Sequence, residues 1–223
     1  DNKGNLWIGH PTGKITQYDG KKFIKFNPEE GLPIDAISSF YVNKNNVVCF
    51  STNGEGVYYY TGENRKRLYN ISSDEGLLEK FVYEITKYAD SNLYIATDKG
   101  ISVYDLKKKE FVDEITMSDG LPDNIVKHLI IHNNDLWIAM QEGGICKYNL
   151  LAKKFSVITN WEFGSVNDFI FVSDNEIWAS TERQGVIKIV LDKNFVPWYT
   201  VFTSINGLSD KSTKTIFKDR ENH

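Results

Sequence analysis

The stretch GLPDNIVKHLIIHNNDLWIAMQEGGICKYN at residues 120–149 contains the two signals that decide the fold. One is the string LWIAM at 136–140, whose further copies, spaced 41 to 45 residues apart, are LWIGH at 6–10, VCFST at 48–52, LYIAT at 93–97 and IWAST at 177–181. The other is GLP at 120–122, which recurs as GLP at 31–33, GLL at 76–78 and GLS at 207–209. Self-similarity at such a period is the signature of a repeat architecture.

Each repeat is predicted to contain four short strands. In the fourth copy the strands are expected at Ile125–Ile131, Leu136–Met140, Ile145–Asn149 and Lys154–Thr159, with turn residues between them. The second strand is apolar in succession, which indicates burial on both faces. We therefore predict an all-β chain, a β-propeller of four-stranded antiparallel blades. A β-sandwich would not repeat its sequence at a fixed period, and a β-solenoid would need shorter repeats.

Five repeat units are predicted within a single propeller segment, residues 1–223. Their approximate bounds are 1–42, 43–88, 89–131, 132–172 and 173–223. The N-terminus enters at a second strand, and Ser212–Lys218 would supply the first strand that this unit lacks. The two ends either pair and close a five-bladed ring or belong to an excerpt of a larger one. Because no leader and no other domain is visible, we expect an excerpt of a seven-bladed ring.

Composition excludes several classes of protein. The 223 residues carry 26 Lys and Arg against 30 Asp and Glu. Nucleic-acid-binding modules usually carry a basic excess, so we expect no nucleic-acid partner. No apolar run approaches the roughly 18 residues of a membrane span, so we expect membrane contact only through a helix outside this segment. Cys49 and Cys146 lie two repeats apart, too far for a disulfide, and are predicted to be buried free thiols.

The 120–149 stretch, with GLPIDAISSF at 31–40 and DNKGNLWIGH at 1–10, resembles the two-component regulator propeller repeat over essentially the whole chain. The resemblance implies the periplasmic sensor region of a hybrid two-component histidine kinase of the Bacteroides type, with two seven-bladed propellers. It also implies oligosaccharide ligands from complex glycans and a homodimer formed through the full-length sensor. The chain departs from the family pattern at His10-Pro11, at Cys49 and at Asn160–Gly164, where GLP is missing.

Strand order predicts where a ligand would bind. When strands alternate in direction, the loop between the second and third strands emerges at the same end as the link to the next blade. Loops on a rigid sheet are where binding residues concentrate, although variable loops are also simply solvated. The candidates on this rim are His10, Asn53, Glu55, Asp98, Lys99, Gln141, Glu142, Trp161, Glu182 and Arg183.

Two of these candidates have defined alternatives. Trp161 could stack on a pyranose face, or it could fold back to fill the space of the missing Leu and Pro. Arg183 could clamp a carboxylate or a pair of hydroxyls, or it could form a surface ion pair with Glu182 or Glu142. Trp7, Trp137 and Trp178 are predicted to be core residues.

The expected function is sensing rather than catalysis. The segment would bind a glycan-derived oligosaccharide, or transmit its binding, to regulate a histidine kinase; alternatives are a protein-interaction platform and, less favoured, a lyase or hydrolase. His128 and His132 could share a metal on a helix, but four residues of strand span ~13 Å. His10 has no partner identifiable in the sequence. We therefore expect no enzyme activity, no metal and no cofactor.

Overall fold

The computed structural model describes residues 1, 3–26, 31–42, 47–61, 67–88 and 91–219. The described residues form nineteen strands and three short 3-10 turns, which confirms the all-β prediction. The chain divides into two compact units, residues 1–115 and 116–223, and each is described separately below. The assignment of a single propeller segment with five stated unit bounds remains a prediction.

The first unit contains one three-stranded sheet and two four-stranded sheets, all antiparallel and in sequential strand order. Blade 1 consists of β1 (Leu6–Gly9), β2 (Ile15–Tyr18) and β3 (Phe23–Phe26). Blade 2 consists of β4 (Ile37–Val42), β5 (Val48–Thr52), β6 (Val57–Thr61) and β7 (Arg67–Ile71). Blade 3 consists of β8 (Val82–Tyr88), β9 (Asn92–Thr97), β10 (Gly100–Asp105) and β11 (Glu110–Ile115).

The second unit contains two four-stranded antiparallel sheets, again in sequential order. Blade 4 consists of β12 (Val126–His132), β13 (Asp135–Met140), β14 (Ile145–Asn149) and β15 (Lys154–Val157). Blade 5 consists of β16 (Val166–Ser173), β17 (Glu176–Thr181), β18 (Val186–Leu191) and β19 (Pro197–Phe202). The four strands predicted for the fourth repeat therefore exist, and β14 has the predicted bounds.

The second strand of each four-stranded blade is largely buried, as its apolar sequence predicts. In β13 the residues Leu136–Met140 are all buried, and Trp137 and Ala139 belong to one cluster with Ile177 and Ala179 of blade 5. The ring of Trp137 meets Phe171 edge to face at 4.9 Å between centroids. Burial of Trp137 confirms the core assignment there, whereas Trp7 and Trp178 are only half-buried.

Hydrogen bonds also join β4 to β8 in the first unit, and β16 to the segment that follows blade 5 in the second unit. The Ser38 hydroxyl donates to the Val82 carbonyl oxygen at 2.6 Å in the first unit. In the second unit the Asn167 amide donates to the Thr213 carbonyl oxygen at 2.8 Å. Thr213 lies in the segment that follows blade 5, so this segment runs along β16 in the way β8 runs along β4.

In the GLP-like strings at 76–78, 120–122 and 207–209, the glycine follows a short 3-10 turn. Gly120 and Gly207 both have φ of 102°, a left-handed conformation that is open to glycine at no steric cost. The turn before Gly120 begins with a capping box, in which Thr116 and Asp119 satisfy each other's backbone N–H groups. These strings therefore have an architectural role.

Replacing Trp137 by alanine tests the role of the buried second strand. Trp137 is 4% exposed and fills the space between two sheets, so Trp137→Ala should lower the free energy of unfolding by about 3–5 kcal/mol. Trp198, on the outer strand β19, is 72% exposed, and Trp198→Ala should cost less than about 1 kcal/mol. Urea titrations of both variants measure the difference, and equal losses would contradict the proposed packing.

Thiol labelling tests the two cysteines, both of which are free and buried. Burial raises the pKa of Cys49 and of Cys146 to about 12, so at pH 8 only about one thiol in ten thousand is ionised. Mass spectrometry after iodoacetamide treatment should find neither residue modified in the native protein and both modified in guanidinium. Rapid native labelling of either residue would be inconsistent with its burial.

Candidate functional site

The links between blades lie against the loops that follow each second strand, as strand order predicts. Glu55 accepts hydrogen bonds from the backbone N–H groups of Ile34 and Asp35 at 2.8 and 3.1 Å. In the second unit the Asp123 carboxylate accepts from the Glu142 N–H at 2.8 Å. In both cases a side-chain carboxylate accepts hydrogen bonds from backbone N–H groups and so joins a link to a loop.

The second unit contains a cleft of about 490 Å³ at this rim. Three segments form its walls: the loop after β13, the link before β16 and the loop after β17. The lining residues are Gln141, Glu142, Glu162, Phe163, Gly164, Ser165, Glu182, Arg183 and Gln184. The structure therefore brings four of the ten predicted rim residues together around one cleft.

The cleft walls are fixed by the main chain, whereas their polar side chains remain available. The Glu182 N–H donates to the Ser165 carbonyl oxygen at 3.1 Å, and the Gln141 N–H donates to Ile125 at 3.0 Å. Among the described residues, Arg183 forms no ion pair, so the surface pair considered from the sequence is not formed there. The side chains of Glu182 and Arg183 are exposed to solvent.

The charges around the cleft are unequal. Glu142, Glu162 and Glu182 contribute three carboxylates, and Arg183 contributes the single cation among the lining residues. Gln141 and Gln184 add neutral planar amides, each of which both donates and accepts hydrogen bonds. The cleft thus combines hydrogen-bonding capacity with an excess of negative charge.

Phe163 is the aromatic residue that lines the cleft, and two further rings support it. Its ring meets Trp161 and Tyr199 edge to face, with centroids 5.0 Å away in each case. The Tyr199 hydroxyl donates to the Thr159 carbonyl oxygen at 2.6 Å, and burial raises the pKa of this phenol to about 12. The hydroxyl bond thus anchors Tyr199, whose ring packs against Phe163.

Trp161 is folded back behind the cleft wall and is not one of the lining residues. A Cβ atom added to Gly144 would lie 2.5 Å from the Trp161 ring, and the indole N–H donates to the Gly164 carbonyl oxygen at 2.8 Å. In two other repeats a leucine of the GLP-like string covers the equivalent glycine: Leu77 covers Gly56 and Leu208 covers Gly185. Trp161 therefore fills the place of the missing leucine.

The five rim candidates of the first unit have other surroundings. Glu55 holds the link that precedes its blade, and Lys99 forms an ion pair with Glu79 at 2.9 Å. His10 bonds the Thr16 hydroxyl at 2.8 Å through Nε2. Asn53 and Asp98 are exposed in their loops.

The other two described histidines, His128 and His132, each contact a carboxylate of blade 5 rather than each other. His128 Nε2 lies 3.2 Å from Asp168, and His132 Nε2 lies 3.1 Å from Asp174. The ring of His132 also stacks on Phe171 at 3.9 Å between centroids. Within the described part of the chain, no group of three or more His, Cys, Asp and Glu side chains could hold a metal ion.

Five lining residues were not selected from the sequence: Glu162, Phe163, Gly164, Ser165 and Gln184. Four of them belong to the link that lacks GLP. This departure from the repeat was the sequence signal that could have identified them. Because Trp161 interrupts the turn motif at the rim, the sequence favours it as the ligand-binding ring. Only the fold shows that Phe163 lines the cleft and that Trp161 covers Gly144.

Several solved structures share this fold. The extracellular domain assigned to the hybrid two-component system BT3049 from B. thetaiotaomicron matches with a TM-score of 0.78 at 20% identity, over 99% of this chain and 30% of that chain. The corresponding domain of BT4673 from the same species gives 0.71 at 17% identity, over 100% and 35%. The WD40 β-propeller domain of Doa1 gives 0.74 at 13% identity, over 99% and 70%.

These similarities confirm the β-propeller fold and the predicted structural likeness to extracellular domains of two-component systems. The chain spans about 30% of the length of the BT3049 domain. No family model and no curated protein matches the chain. In the part of the chain that the structure describes, no helix has the length and apolar character needed to cross a bilayer.

A pair of substitutions tests the structural role of Trp161. Trp161→Ala should lower the free energy of unfolding by about 2–4 kcal/mol, because it leaves a void over Gly144. Trp161→Leu should cost less than about 1.5 kcal/mol, because leucine covers the equivalent glycines elsewhere. Chemical denaturation measures both values, and an alanine variant as stable as the wild type would refute the assignment.

Proposed function

We propose that this chain is part of an extracytoplasmic sensor propeller and that the cleft of the second unit binds a glycan-derived oligosaccharide. The observation that carries the proposal is the cleft itself, about 490 Å³ in volume and lined by planar polar groups around Phe163. Amide, carboxylate and guanidinium groups bond pairs of sugar hydroxyls, and an aromatic side chain packs against the apolar face of a sugar ring. The likeness to extracellular domains of two-component systems supports the same reading.

The charge of the cleft favours a neutral oligosaccharide over an acidic one. Three carboxylates face one guanidinium, so a uronate or sulfate group would enter a site of like charge. Unpaired like charges at a binding site discriminate against the wrong ligand by several kcal/mol. Arg183 then donates to sugar hydroxyls rather than to a ligand carboxylate.

The remaining elements of the proposal concern the whole protein. We propose a periplasmic location, regulation of a histidine kinase and a homodimer formed through the full-length sensor. We propose no catalytic role for this segment, since the described histidines bond partners outside the cleft: Thr16, Asp168 and Asp174.

A protein-interaction platform is the second candidate, and exposed apolar side chains in the second unit favour it. Trp198, Ile205 and Phe217 are each more than two-thirds exposed, at 72%, 93% and 78%. None of them lines the cleft, so a protein partner and an oligosaccharide would use different surfaces.

Isothermal titration calorimetry with neutral xylo-, malto-, manno- and cello-oligosaccharides, and with galacturonate oligomers, tests the cleft. A neutral oligomer should bind, and Arg183→Ala should weaken that binding at least tenfold, because a hydrogen bond to a charged group is lost. Galacturonate oligomers should bind more weakly than the neutral oligomer.

Lys193→Ala is the matched control, since Lys193 is exposed in the turn between β18 and β19, away from the cleft. It should leave the affinity unchanged. If no oligosaccharide of the panel binds, or if the two variants lose affinity equally, the result contradicts a ligand in this cleft.

A further inference from the structure

The loop Glu182–Gln184 forms one wall of the cleft. It is flanked by Thr181 and Gly185, which hydrogen bonds hold together and which we call the neck of the loop. The Thr181 hydroxyl donates to the Gly185 carbonyl oxygen at 2.8 Å and accepts from the Gln184 N–H at 3.0 Å. The Thr181 N–H also donates to Gly185 at 3.0 Å. A displacement of the loop would therefore also displace Thr181 and Gly185.

Thr213, in the segment after blade 5, holds both sides of this neck. Its backbone N–H donates to the Thr181 carbonyl oxygen at 2.9 Å, and its hydroxyl accepts from the Thr181 N–H at 3.0 Å. The same hydroxyl lies 2.8 Å from the Gly185 carbonyl oxygen, to which it donates. The Gly185 N–H in turn donates to Lys211 at 2.7 Å.

The hydroxyl at this position is a departure from the repeat. Thr213 is the sixth residue after Gly207, and the sixth residue after the corresponding glycine is Ile37, Val82 or Val126 in the other copies. Val82 and Val126 are fully buried aliphatic side chains. The fold thus accepts a branched aliphatic residue here, and packing alone does not require the hydroxyl of Thr213.

The same segment has a second attachment, at the first strands of the unit. The Asp168 carboxylate accepts from the Thr215 hydroxyl at 2.6 Å and from the Ile216 N–H at 3.0 Å. Its other oxygen lies 3.2 Å from His128 Nε2. Among the described residues, 213–219 belong to no strand ladder, so these bonds hold the segment in place.

We infer that Lys211–Ile216 is the output segment of the cleft, with Thr213 as the coupling residue. An occupant that contacts Glu182, Arg183 or Gln184 shifts the neck at Thr181 and Gly185, and Thr213 passes this shift to the segment and on to Asp168. A segment held by a few hydrogen bonds moves at lower cost than a strand within a sheet. The coupling is reciprocal, so the segment also controls the loop. This inference rests on the proposed function for the identity of the occupant.

The test loads the cleft loop without any oligosaccharide. In Arg183→Cys, fluorescein maleimide should modify residue 183 alone, because Cys49 and Cys146 are buried. Hydrogen exchange is then measured by mass spectrometry with and without the label. In the Arg183→Cys protein the label should change exchange over 211–216 at least threefold. An unchanged rate in this segment would overturn the inference.

Thr213→Val removes only the hydroxyl and restores the aliphatic residue of the other repeats, so the variant should fold. It should speed exchange at 181–186 about fivefold, the effect of one lost hydrogen bond, and reduce the effect of the label on 211–216 to less than twofold. Thr213→Ser, which keeps the hydroxyl, should preserve transmission. Thr215→Val is the matched control, since it removes a hydroxyl from the same segment without touching the loop, and the label should still change exchange at 211–213.

Equal transmission in labelled Arg183→Cys proteins with and without Thr213→Val would refute the coupling role. Because the label replaces the sugar, this outcome is independent of the calorimetry. If no oligosaccharide binds, the proposed ligand is refuted and the coupling is not. If the label leaves exchange over 211–216 unchanged, the coupling is refuted and the proposed ligand is not.

Discussion

Burial of the second strand on both faces is the constraint on which blades 2, 3 and 4 depend. A strand that reads Leu-Trp-Ile-Ala-Met has no face suited to water, so it needs a neighbouring sheet on each side. In the second unit, blade 5 covers the Trp137 face of β13, and the small Ala139 lets the two sheets approach closely. In β17, Ile177 and Ala179 are buried against blade 4, whereas Trp178 on the opposite face is half-exposed.

This constraint separates the residues that make the fold from those that could bind a ligand. Links and loops are joined largely through backbone groups, such as the Glu182 N–H on Ser165 and the Gln141 N–H on Ile125. A side chain whose own backbone already anchors the loop can change without loss of that anchor. The rim can therefore differ between repeats at little cost in stability, and Glu55 shows the opposite case, where the side chain itself holds the link.

The sequence predicts the blades well because their signals are local and repeated. β14 has the predicted bounds, and β15 ends at Val157 rather than at the predicted Thr159. The site is harder to predict because it depends on which way a side chain turns. Nothing local to residues 160–164 says that Trp161 covers Gly144 while Phe163 faces the cleft, since that choice is made by a glycine about seventeen residues away. Thr213 was predictable in principle, because it stands in an otherwise aliphatic column, but the hydroxyl gains meaning only beside Thr181 and Gly185.

The departures from the repeat in the second unit are connected through one region. Replacement of the GLP string by Asn160–Gly164 provides both the indole that covers Gly144 and the wall that carries Glu162 and Phe163. The change to Thr213 then bonds the opposite wall to a segment outside the cleft. In a repeat protein the common residue at each position is the one that the packing of every copy accepts, so a polar replacement needs a local partner to persist. Thr213 has such partners in Thr181 and Gly185, the neck of the cleft loop. Its hydroxyl therefore contributes to the cleft rather than to the packing that all blades share.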